Sequence, residues 1–395
     1  MHSLMPMRHA AQAARVSRAF LSSWRCHPNL AFSKETLGLN ENACVNVKKS
    51  KYFASTVRHI MKNHSGIGVK TFRLDSRRTP MYNFPCSLLS DGGGESLRYL
   101  HLAGCNFHPI VRFGCLRSLT RLQLCAVCIA GDELECLLSS AFALERLALK
   151  HCSGIICLKI PCLQQLNHLE VLTCIGLHVV ESKAPNLSSF CLAGDLDMEL
   201  SILGTSRIRK YERFCSGTVF YARTELPSSM PNLETLTICS ETETVDTPMV
   251  HSRFLHLKCL AIILGGQTYD VFSLVSFLYA SPCLETFILN RISLLEDPPN
   301  LRNVSEHHHS KLKQVEMIRF SSVKSLVELT CHILDSATCT VNKCGKCFPI
   351  RRDALVEAQR ALLAIQTYIK PKVPSTIQLN ILEPCSRCHV VEMSL

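Results

Sequence analysis

The stretch LRYLHL at residues 97–102 returns in altered form as LTRLQL at 119–124 and LERLAL at 144–149. All three follow the pattern Leu-x-x-Leu-x-Leu. Further copies, the last two of them weaker, are LETLTI at 233–238, LKCLAI at 257–262, LETFIL at 284–289, LSSFCL at 187–192 and LKQVEM at 312–317. Within two groups the copies begin 22 to 28 residues apart, which is the period of leucine-rich repeats.

Strand geometry explains the pattern. Alternate residues of a short strand face the same side, so the fourth and sixth residues of each hexapeptide point toward a core. One such strand cannot bury its apolar face alone, but strands stacked in a parallel sheet share a core with helices packed behind them. We therefore predict an α/β fold, a leucine-rich-repeat solenoid with a curved parallel sheet backed by helices.

Helical segments stand where this fold needs them. GDELECLLSSAFA at 131–143 and YDVFSLVSFLYASPC at 269–283 each lead directly into a hexapeptide, and Asp132 and Asp270 are predicted to be their N-caps. A further helix is predicted at 321–339, but TVNKCGKC follows it instead of the expected strand. Either the repeat ends there or a strand is missing.

The C-terminal part is predicted to cover the open end of the repeats. FPIRRDALVEAQRALLAIQTYI at 348–369 reads as an amphipathic helix, and STIQLNILEP at 375–384 alternates like a last strand. A strand is also predicted at 69–75. The predicted organisation has four parts: short helices at 1–33, a linker with irregular first repeats at 34–95, leucine-rich repeats at 96–340 and a helix–strand cap at 341–395.

The net charge of +11 lies in the N-terminal segment. Residues 1–80 contain 14 Lys and Arg against 3 Asp and Glu, whereas the rest of the chain contains 29 of each sign. The main part of the chain therefore has no global positive field, and nucleic acid is not the favoured partner. The longest apolar runs, such as LKCLAIIL at 257–264, fall far short of the roughly 18 residues of a membrane-spanning helix, so no membrane partner is expected.

The chain is rich in cysteine, with 23 residues scattered mostly through apolar runs, where a thiol packs as a small hydrophobic group. No secretory signal is evident, so we expect free thiols in the nucleus or cytoplasm. Cys344 with Cys347 and Cys385 with Cys388 are candidate zinc ligands. The 37 residues between the pairs exceed the spacing of common zinc fingers, so no cofactor is expected and zinc is the alternative.

The third and fifth residues of each hexapeptide face away from the core. On a curved sheet they form the concave face, which is a binding surface. We predict that a protein substrate meets these side chains: Tyr99, His101, Arg121, Gln123, Arg146, Ala148, Thr235, Thr237, Thr286, Ile288, Gln314 and Glu316. The chain contains no Gly-x-Ser-x-Gly or His-Glu-x-x-His motif, and we expect a protein that is not an enzyme.

The first residues combine basic charge with helical periodicity. In RHAAQAARVSRAFLSSW the apolar residues Ala13, Val16, Phe20 and Trp24 are spaced as one buried stripe of a helix. A mitochondrial transit peptide is also amphipathic, rich in arginine and poor in acids. The tryptophan at the end of the stripe and the direct passage into ordered-looking sequence favour a folded module.

The stretch SLMPMRHAAQAARVSRAFLSSWRCHPNL resembles the second half of an F-box. The family's first helix would precede this stretch, so the resemblance implies that residues 1–33 form partial F-box helices, with the F-box truncated on its N-terminal side. The repeats, and the segment from VNKCGKC to EPCSRC at 341–388, resemble those of plant F-box/leucine-rich-repeat proteins. The residues that match the inter-helix turn, the helix core and the tryptophan after it are Leu4, Pro6, Val16, Arg18, Phe20 and Trp24.

This resemblance implies a function. F-box proteins are the substrate-recognition subunits of SCF-type ubiquitin ligases: the F-box binds a Skp-type adaptor and through it a cullin, while the repeats hold the target protein. The six matching residues would then contact the adaptor. Two alternatives stay open: a repeat protein that binds partners without ubiquitin transfer, and a zinc-binding protein whose basic N-terminus contacts nucleic acid.

Overall fold

A computed structural model describes most of the chain, which forms two compact units, Met1–Thr205 and Ser206–Leu395. The described residues are 7–37, 47–64, 68–77, 82–86, 95–109, 116–195, 197–240, 251–265, 271–291, 311–334, 352–373 and 378–381. None of the described helices is long and apolar enough to cross a lipid bilayer.

The first unit is built around parallel strands. In chain order these are β1 Asn29–Phe32, β2 Thr71–Asp75, β3 Tyr82–Asn83, β4 Tyr99–Ala103, β5 Cys105–Asn106, β6 Arg121–Cys125, β7 Arg146–Lys150, β8 Cys157–Ile160, β9 His168–Leu172, β10 Val179–Ser182, β11 Ser189–Ala193 and β12 Glu199–Ile202. The main sheet has the order β1-β2-β4-β6-β7-β9-β11, with every pairing parallel. Strands β8, β10 and β12 form a smaller parallel sheet, and β3 pairs with β5.

The hexapeptide leucines form the core of this unit. Leu100, Leu122, Leu147 and Leu169 occupy one register position of successive strands and are each at most 1% exposed. Each fully buried leucine contributes about 1.5–3 kcal/mol of transfer free energy, so a ladder of them stabilises the stack of strands. The alternation of buried and exposed residues follows directly from the period of two along each strand.

The second unit repeats the arrangement. Its strands pair in parallel in the order β13-β14-β15-β16-β17, with Leu236, Leu260 and Phe287 in register at the core. The strands are β13 Lys210–Phe214, β14 Thr235–Ser240, β15 Cys259–Leu264, β16 Thr286–Arg291 and β17 Gln314–Ile318. The prediction of an α/β leucine-rich-repeat fold is confirmed in both units.

The described helices are mostly short. In chain order they are α1 Met7–Ala14, α2 Arg18–Arg25, α3 Val47–Asn63, α4 Gly131–Ser139, α5 Thr218–Thr224, α6 Leu226–Ser229, α7 Val275–Ala280, α8 Lys324–Leu334 and α9 Arg352–Ala364. The helix predicted from 269 begins in the described residues as a 3-10 turn at Val271–Leu274, and the helix predicted from 348 ends as a π-turn at Ile365–Ile369. Within the described residues, a helix is present in each of the predicted segments 131–143, 269–283, 321–339 and 348–369.

Local differences from the sequence predictions have physical reasons. Asp132 is not an N-cap, because α4 begins after Ala130, whose amide N–H donates to Glu133 Oε2 at 3.1 Å. Asp270 lies outside the described residues. The strand predicted at 69–75 is β2. Of the strand predicted at 375–384, the described residues 378–381 contain one bridge residue, Gln378, and no strand.

The parallel sheet begins earlier than the predicted boundaries. Strand β1 lies inside the segment 1–33, which was assigned to the helical module, and it pairs residue by residue with β2, as in Leu30 with Phe72. Helix α3 and strand β2 lie inside 34–95, the predicted linker with irregular first repeats, where β2 is the predicted strand. The signal was weak because β1 is only four residues long and carries no Leu-x-x-Leu-x-Leu pattern.

Candidate functional site

The side of the first unit's main sheet that faces away from its core carries a groove, here called the basic groove. It has a volume of about 580 Å³ and crosses β2, β4, β6, β7 and β9. Because the strands are in register, the residues that face away from the core form rows: Thr71, Tyr99, Arg121, Arg146 and His168 are one such row. This side of the sheet is called the front face of the unit.

Positive charge dominates the basic groove. Two carboxylates, Glu145 and Glu170, also line it, and Glu170 is already paired with Lys150 Nζ at 2.8 Å. The lining cations form no ion pair with any described residue; they are Lys70, Arg73, Arg98, Arg121 and Arg146. The groove is therefore an open positive surface, suited to an anionic ligand.

A hydrogen-bonded group orders the centre of the groove. The Tyr99 hydroxyl donates to Gln123 Oε1 at 3.0 Å and lies 3.3 Å from His101 Nδ1. The Arg73 guanidinium stacks over the Tyr99 ring, 4.9 Å from its centroid, in a cation–π contact. Burial lowers the pKa of His101, so this imidazole is neutral at pH 7 and adds no charge to the groove.

The front face of the second unit has a different composition. Across β14, β15 and β16, the residues that face away from the core are half-buried and all neutral. They are Thr235, Thr237 and Cys239, then Cys259, Ala261 and Ile263, then Thr286, Ile288 and Asn290. Such a face has little charge with which to attract an ion and offers methyl groups and hydroxyls instead.

In the second unit, ion pairs join the charged residues that directly precede the strands. Glu234 binds Arg209 Nη1 at 2.9 Å and Lys258 Nζ at 3.0 Å, and Glu285 binds Lys313 Nζ at 2.7 Å. These hydrogen bonds from lysine lower the pKa of both carboxyl groups. The corresponding positions of the first unit include Lys70, Arg98 and Glu145, and none of these forms an ion pair with a described residue.

The predicted substrate-facing residues divide between the two front faces. The basic groove is lined by Tyr99, Arg121, Gln123 and Arg146. The His101 imidazole lies within hydrogen-bond distance of the Tyr99 hydroxyl. Thr235, Thr237, Thr286, Gln314 and Glu316 lie on the front face of the second unit, with Ile288. Their role in binding stays a prediction.

Sequence reasoning missed part of the groove. Arg73 belongs to β2 and Lys70 directly precedes it; the sequence prediction covers this strand but gives it no repeat with a front face. His168 and Glu170 belong to LNHLEV at 166–171, whose last residue is Val instead of Leu. A pattern that allowed Val at the sixth position would have found this repeat.

The model of the At1g61320/AtMIF1 LRR domain matches residues 76–386, which is most of the chain. The chain belongs to this family. A search of curated proteins finds no match. Solved structures that resemble it include an internalin of Listeria monocytogenes, 12% identical with a TM-score of 0.36, over 70% of this chain and 76% of that one.

Another similar structure is a leucine-rich-repeat protein of Leptospira interrogans, 13% identical with a TM-score of 0.26, over 72% of this chain and 86% of that one. Both likenesses are weak. The assignment to the At1g61320/AtMIF1 LRR family rests on the family match and on the registered parallel strands. The family match begins at residue 76 and does not include α1 and α2.

The structure corrects the predicted N-terminal stripe of this family member. Instead of one helix with a buried face, residues 15–17 separate α1 from α2, and the Ser17 hydroxyl caps α2 by accepting from Phe20 N at 3.2 Å. Val16 is 80% exposed, Phe20 is 44% exposed, and α2 has no buried residue. Periodicity could not reveal this break, because Ser17 fits a helix interior and an N-cap equally by spacing.

Helix α1 attaches this helix pair to the sheet. Met7 and Ala10 are buried, and the Ala31 amide donates to Met7 Sδ at 3.2 Å, which ties α1 to β1. Arg18 is exposed at the start of α2, and Trp24 is half-buried, with its ring 5.7 Å from that of His27. Leu4 and Pro6 lie outside the described residues.

The predicted metal ligands are not among the described residues: Cys344, Cys347, Cys385 and Cys388 all lie outside them. Within the described part of the chain, no group of three or more His, Cys, Asp or Glu side chains could hold a metal ion. The zinc alternative therefore stays a prediction.

Proposed function

We propose that this protein is the substrate-recognition subunit of an SCF-type ubiquitin ligase. In this proposal α1 and α2 bind a Skp-type adaptor, and through it a cullin, while the leucine-rich repeats hold the target protein. The coarser part, a leucine-rich-repeat domain of the kind that binds proteins, rests on the family match. The resemblance of the N-terminal stretch to an F-box supports the finer part.

The exposed apolar side chains of α2 are the observation that carries the proposal. Val16, Phe20 and Leu21 are 80%, 44% and 37% exposed on or beside a short helix, although they are large hydrophobic residues. Apolar groups grouped on one exposed helix are typical of a surface that a partner covers, and aromatic residues contribute heavily to such contacts. The attachment of α1 to β1 leaves this surface of α2 accessible.

In this role the chain performs no chemistry of its own, and we propose that it is not an enzyme and needs no cofactor. The ubiquitin ligase machinery would act where thiols stay reduced, in the nucleus or cytoplasm. The cysteines in the described part of the chain form no disulfide with one another, as is typical of proteins in a reducing compartment. Stoichiometric zinc in metal analysis of the purified protein would contradict the absence of a cofactor.

Adaptor binding tests the proposal directly. Titration of the purified full chain with a purified Skp-type adaptor in a calorimeter should give a saturable complex. Val16→Glu combined with Phe20→Glu should weaken it by at least about tenfold, because charges would enter an apolar contact. Both side chains are exposed, so the folded state should tolerate the changes.

Phe142→Glu is the matched control, since Phe142 is 63% exposed on the first unit and far along the chain from α2. It should leave adaptor affinity unchanged. Absence of binding by the wild-type chain, or an equal loss in the Phe142 variant, would contradict the proposal. The chain would then be a repeat protein that binds partners without ubiquitin transfer.

A further inference from the structure

We propose that the basic groove binds an extended acidic segment of a target protein, with aspartate, glutamate or phosphoserine side chains against its cations. The inference rests on the proposed function in one respect: it takes the front face of the first unit as a surface that holds the target. It does not need the adaptor contact of α1 and α2.

Charge imbalance is the first reason. The groove's five cations face two carboxylates, and one of these, Glu170, is already compensated by Lys150 at 2.8 Å. Asp75, at the far end of β2, is likewise paired with Arg77, whose hydrogen bond lowers the pKa of that carboxyl. An acidic segment would supply the negative charge that the described residues lack.

The placement of two arginines is the second reason. Arg121 and Arg146 are register partners on neighbouring parallel strands, both exposed. Strands lie about 4.8 Å apart, and like charges directly opposite each other destabilise a sheet. A functional site can keep an arrangement that lowers stability, and a bound anion would offset the repulsion between the two arginines. Guanidinium groups bind carboxylates and phosphates through two parallel hydrogen bonds, which suits both residues to acidic side chains.

The dimensions of the groove suit an extended chain. It crosses five strands, and four intervals of about 4.8 Å span roughly 19 Å. An extended peptide rises about 3.3 Å per residue, so about six residues cross the groove. Alternate side chains of that peptide would face the front face, giving about three acidic contacts from an alternating sequence.

The polar groups at the centre are already ordered. The Tyr99 hydroxyl is bonded to Gln123, and Arg73 is stacked on the Tyr99 ring. Side chains held before binding lose less conformational entropy when a ligand arrives. This ordering favours recognition of a definite segment over diffuse attraction.

Single-stranded nucleic acid fits the groove less well. Proteins that bind it combine a positive channel with aromatic faces on which bases stack. Tyr99 is the aromatic residue that lines the groove, and Arg73 covers a face of its ring. Glu145 and Glu170 also lie in the path of a continuous phosphate backbone. A protein segment can place its neutral residues opposite these carboxylates.

The test measures fluorescence anisotropy of labelled octapeptides with the purified full chain. Three peptides are compared: alternating Ser-Glu, alternating Ser-Gln, and a version of the first with phosphoserine in place of glutamate. A labelled single-stranded RNA octamer is the fourth probe. We expect saturable binding of one or both acidic peptides, weakened between about 50 and 300 mM NaCl, and no comparable binding of the Ser-Gln peptide.

The decisive variant is Arg121→Gln with Arg146→Gln, which should weaken the acidic peptide by roughly tenfold. Its matched control is Arg209→Gln with Lys258→Gln, which removes the same charge from the second unit, where Glu234 pairs both cations. The control should keep wild-type affinity. Both pairs are exposed, and circular dichroism checks that each variant is folded.

Equal binding of the Ser-Gln peptide, an equal loss in the control, or tighter binding of RNA than of either acidic peptide would overturn the proposal. Loss of adaptor binding in calorimetry would leave these peptide results unchanged. The failure of the groove proposal and the failure of the ligase proposal are therefore distinguishable.

Discussion

The front faces of the two units are built on the same parallel register, but they compensate charge differently. In the second unit Glu234 and Glu285 pair the cations that neighbour them, and the faces of β14 to β16 are neutral. In the first unit Arg121 and Arg146 stand opposite each other without an acidic partner among the described residues. One face is neutralised within the fold, whereas the other is open to a ligand.

This difference teaches that repeats with one core can have unlike surfaces. The buried positions of a hexapeptide are constrained by packing, because each leucine must fill the space beneath its neighbours. The third and fifth positions meet no such demand. Surface substitutions away from special contacts change stability by less than about 0.5 kcal/mol, so these positions are free to specialise for binding.

The largest expected change in stability concerns the leucine core, which both units share. Leu122→Ala in the first unit and Leu260→Ala in the second should each lower the free energy of unfolding by about 2–5 kcal/mol, because both leucines are fully buried. Urea denaturation followed by circular dichroism measures it. A loss below about 1 kcal/mol in either variant would mean that the two units do not share an equally packed core.

The two units should also lose stability at different pH values. Burial lowers the pKa of His64 and His101, so the unfolded chain takes up protons first as pH falls below about 6.5. The first unit should therefore lose stability from about pH 6.5 downward. The pKa values of Glu234 and Glu285 are lowered by hydrogen bonds from lysine, so their contribution should be lost only below about pH 4.5.

Hydrogen exchange followed by mass spectrometry at pH 7, 5.5 and 4 checks this order, after correction for the intrinsic pH dependence of exchange. His64→Gln with His101→Gln should flatten the change between pH 7 and 5.5 in the first unit. Protection lost first around β14 to β16 would contradict the assignment.

Removing one hydroxyl group from each front face should lower the free energy of unfolding by different, smaller amounts. Tyr99→Phe deletes the hydrogen bond to Gln123 and should cost about 0.5–1.5 kcal/mol. Thr237→Val is the matched change on the second unit, where the Thr237 hydroxyl has no hydrogen-bond partner among the described residues, and it should stay within about 0.5 kcal/mol. Equal losses in urea denaturation would remove the distinction between an ordered and an unordered face.

The smallest effect is a difference of sign. Arg146→Gln should raise the free energy of unfolding slightly, by about 0.2–0.5 kcal/mol at low salt, because it relieves the repulsion with Arg121. Glu234→Gln should lower it by about 0.2–1 kcal/mol, because exposed ion pairs are screened by solvent and contribute little. A change of the same sign in the free energy of unfolding of both variants would show that the charged residues of the two units do not differ in this way.

Much of the fold could be predicted from the hexapeptides, since burial at every second residue leaves a direct mark on sequence. Strands with weaker patterns were harder. The repeat at 166–171 has Val in place of the last Leu, and β1 is too short to show a period. The break between α1 and α2 was missed because the apolar spacing continues across Ser17, whereas the Ser17 hydroxyl cap that begins α2 is a matter of three-dimensional contact.

The candidate site was predictable only in part. The spacing of the hexapeptides is enough to place Tyr99, Arg121 and Arg146 on the face away from the core. Which residues lie beside them depends on the register between strands, which the spacing does not give. The imbalance of charge follows from which acid lies beside which base, as with Glu170 and Lys150. Such pairings join residues some 20 positions apart and leave no local pattern in the sequence.

Photo-crosslinking of the Ser-Glu octapeptide would locate its binding site on the full chain. The peptide carries a benzophenone group, and mass spectrometry locates the crosslinked residues of the full chain. We expect crosslinks that are suppressed by high salt and concentrated on the front face of the first unit, at residues 70–73, 98–101, 121–123, 145–148 and 168–170. Crosslinks concentrated on β14 to β17, or an equal pattern from the Ser-Gln peptide, would contradict this expectation.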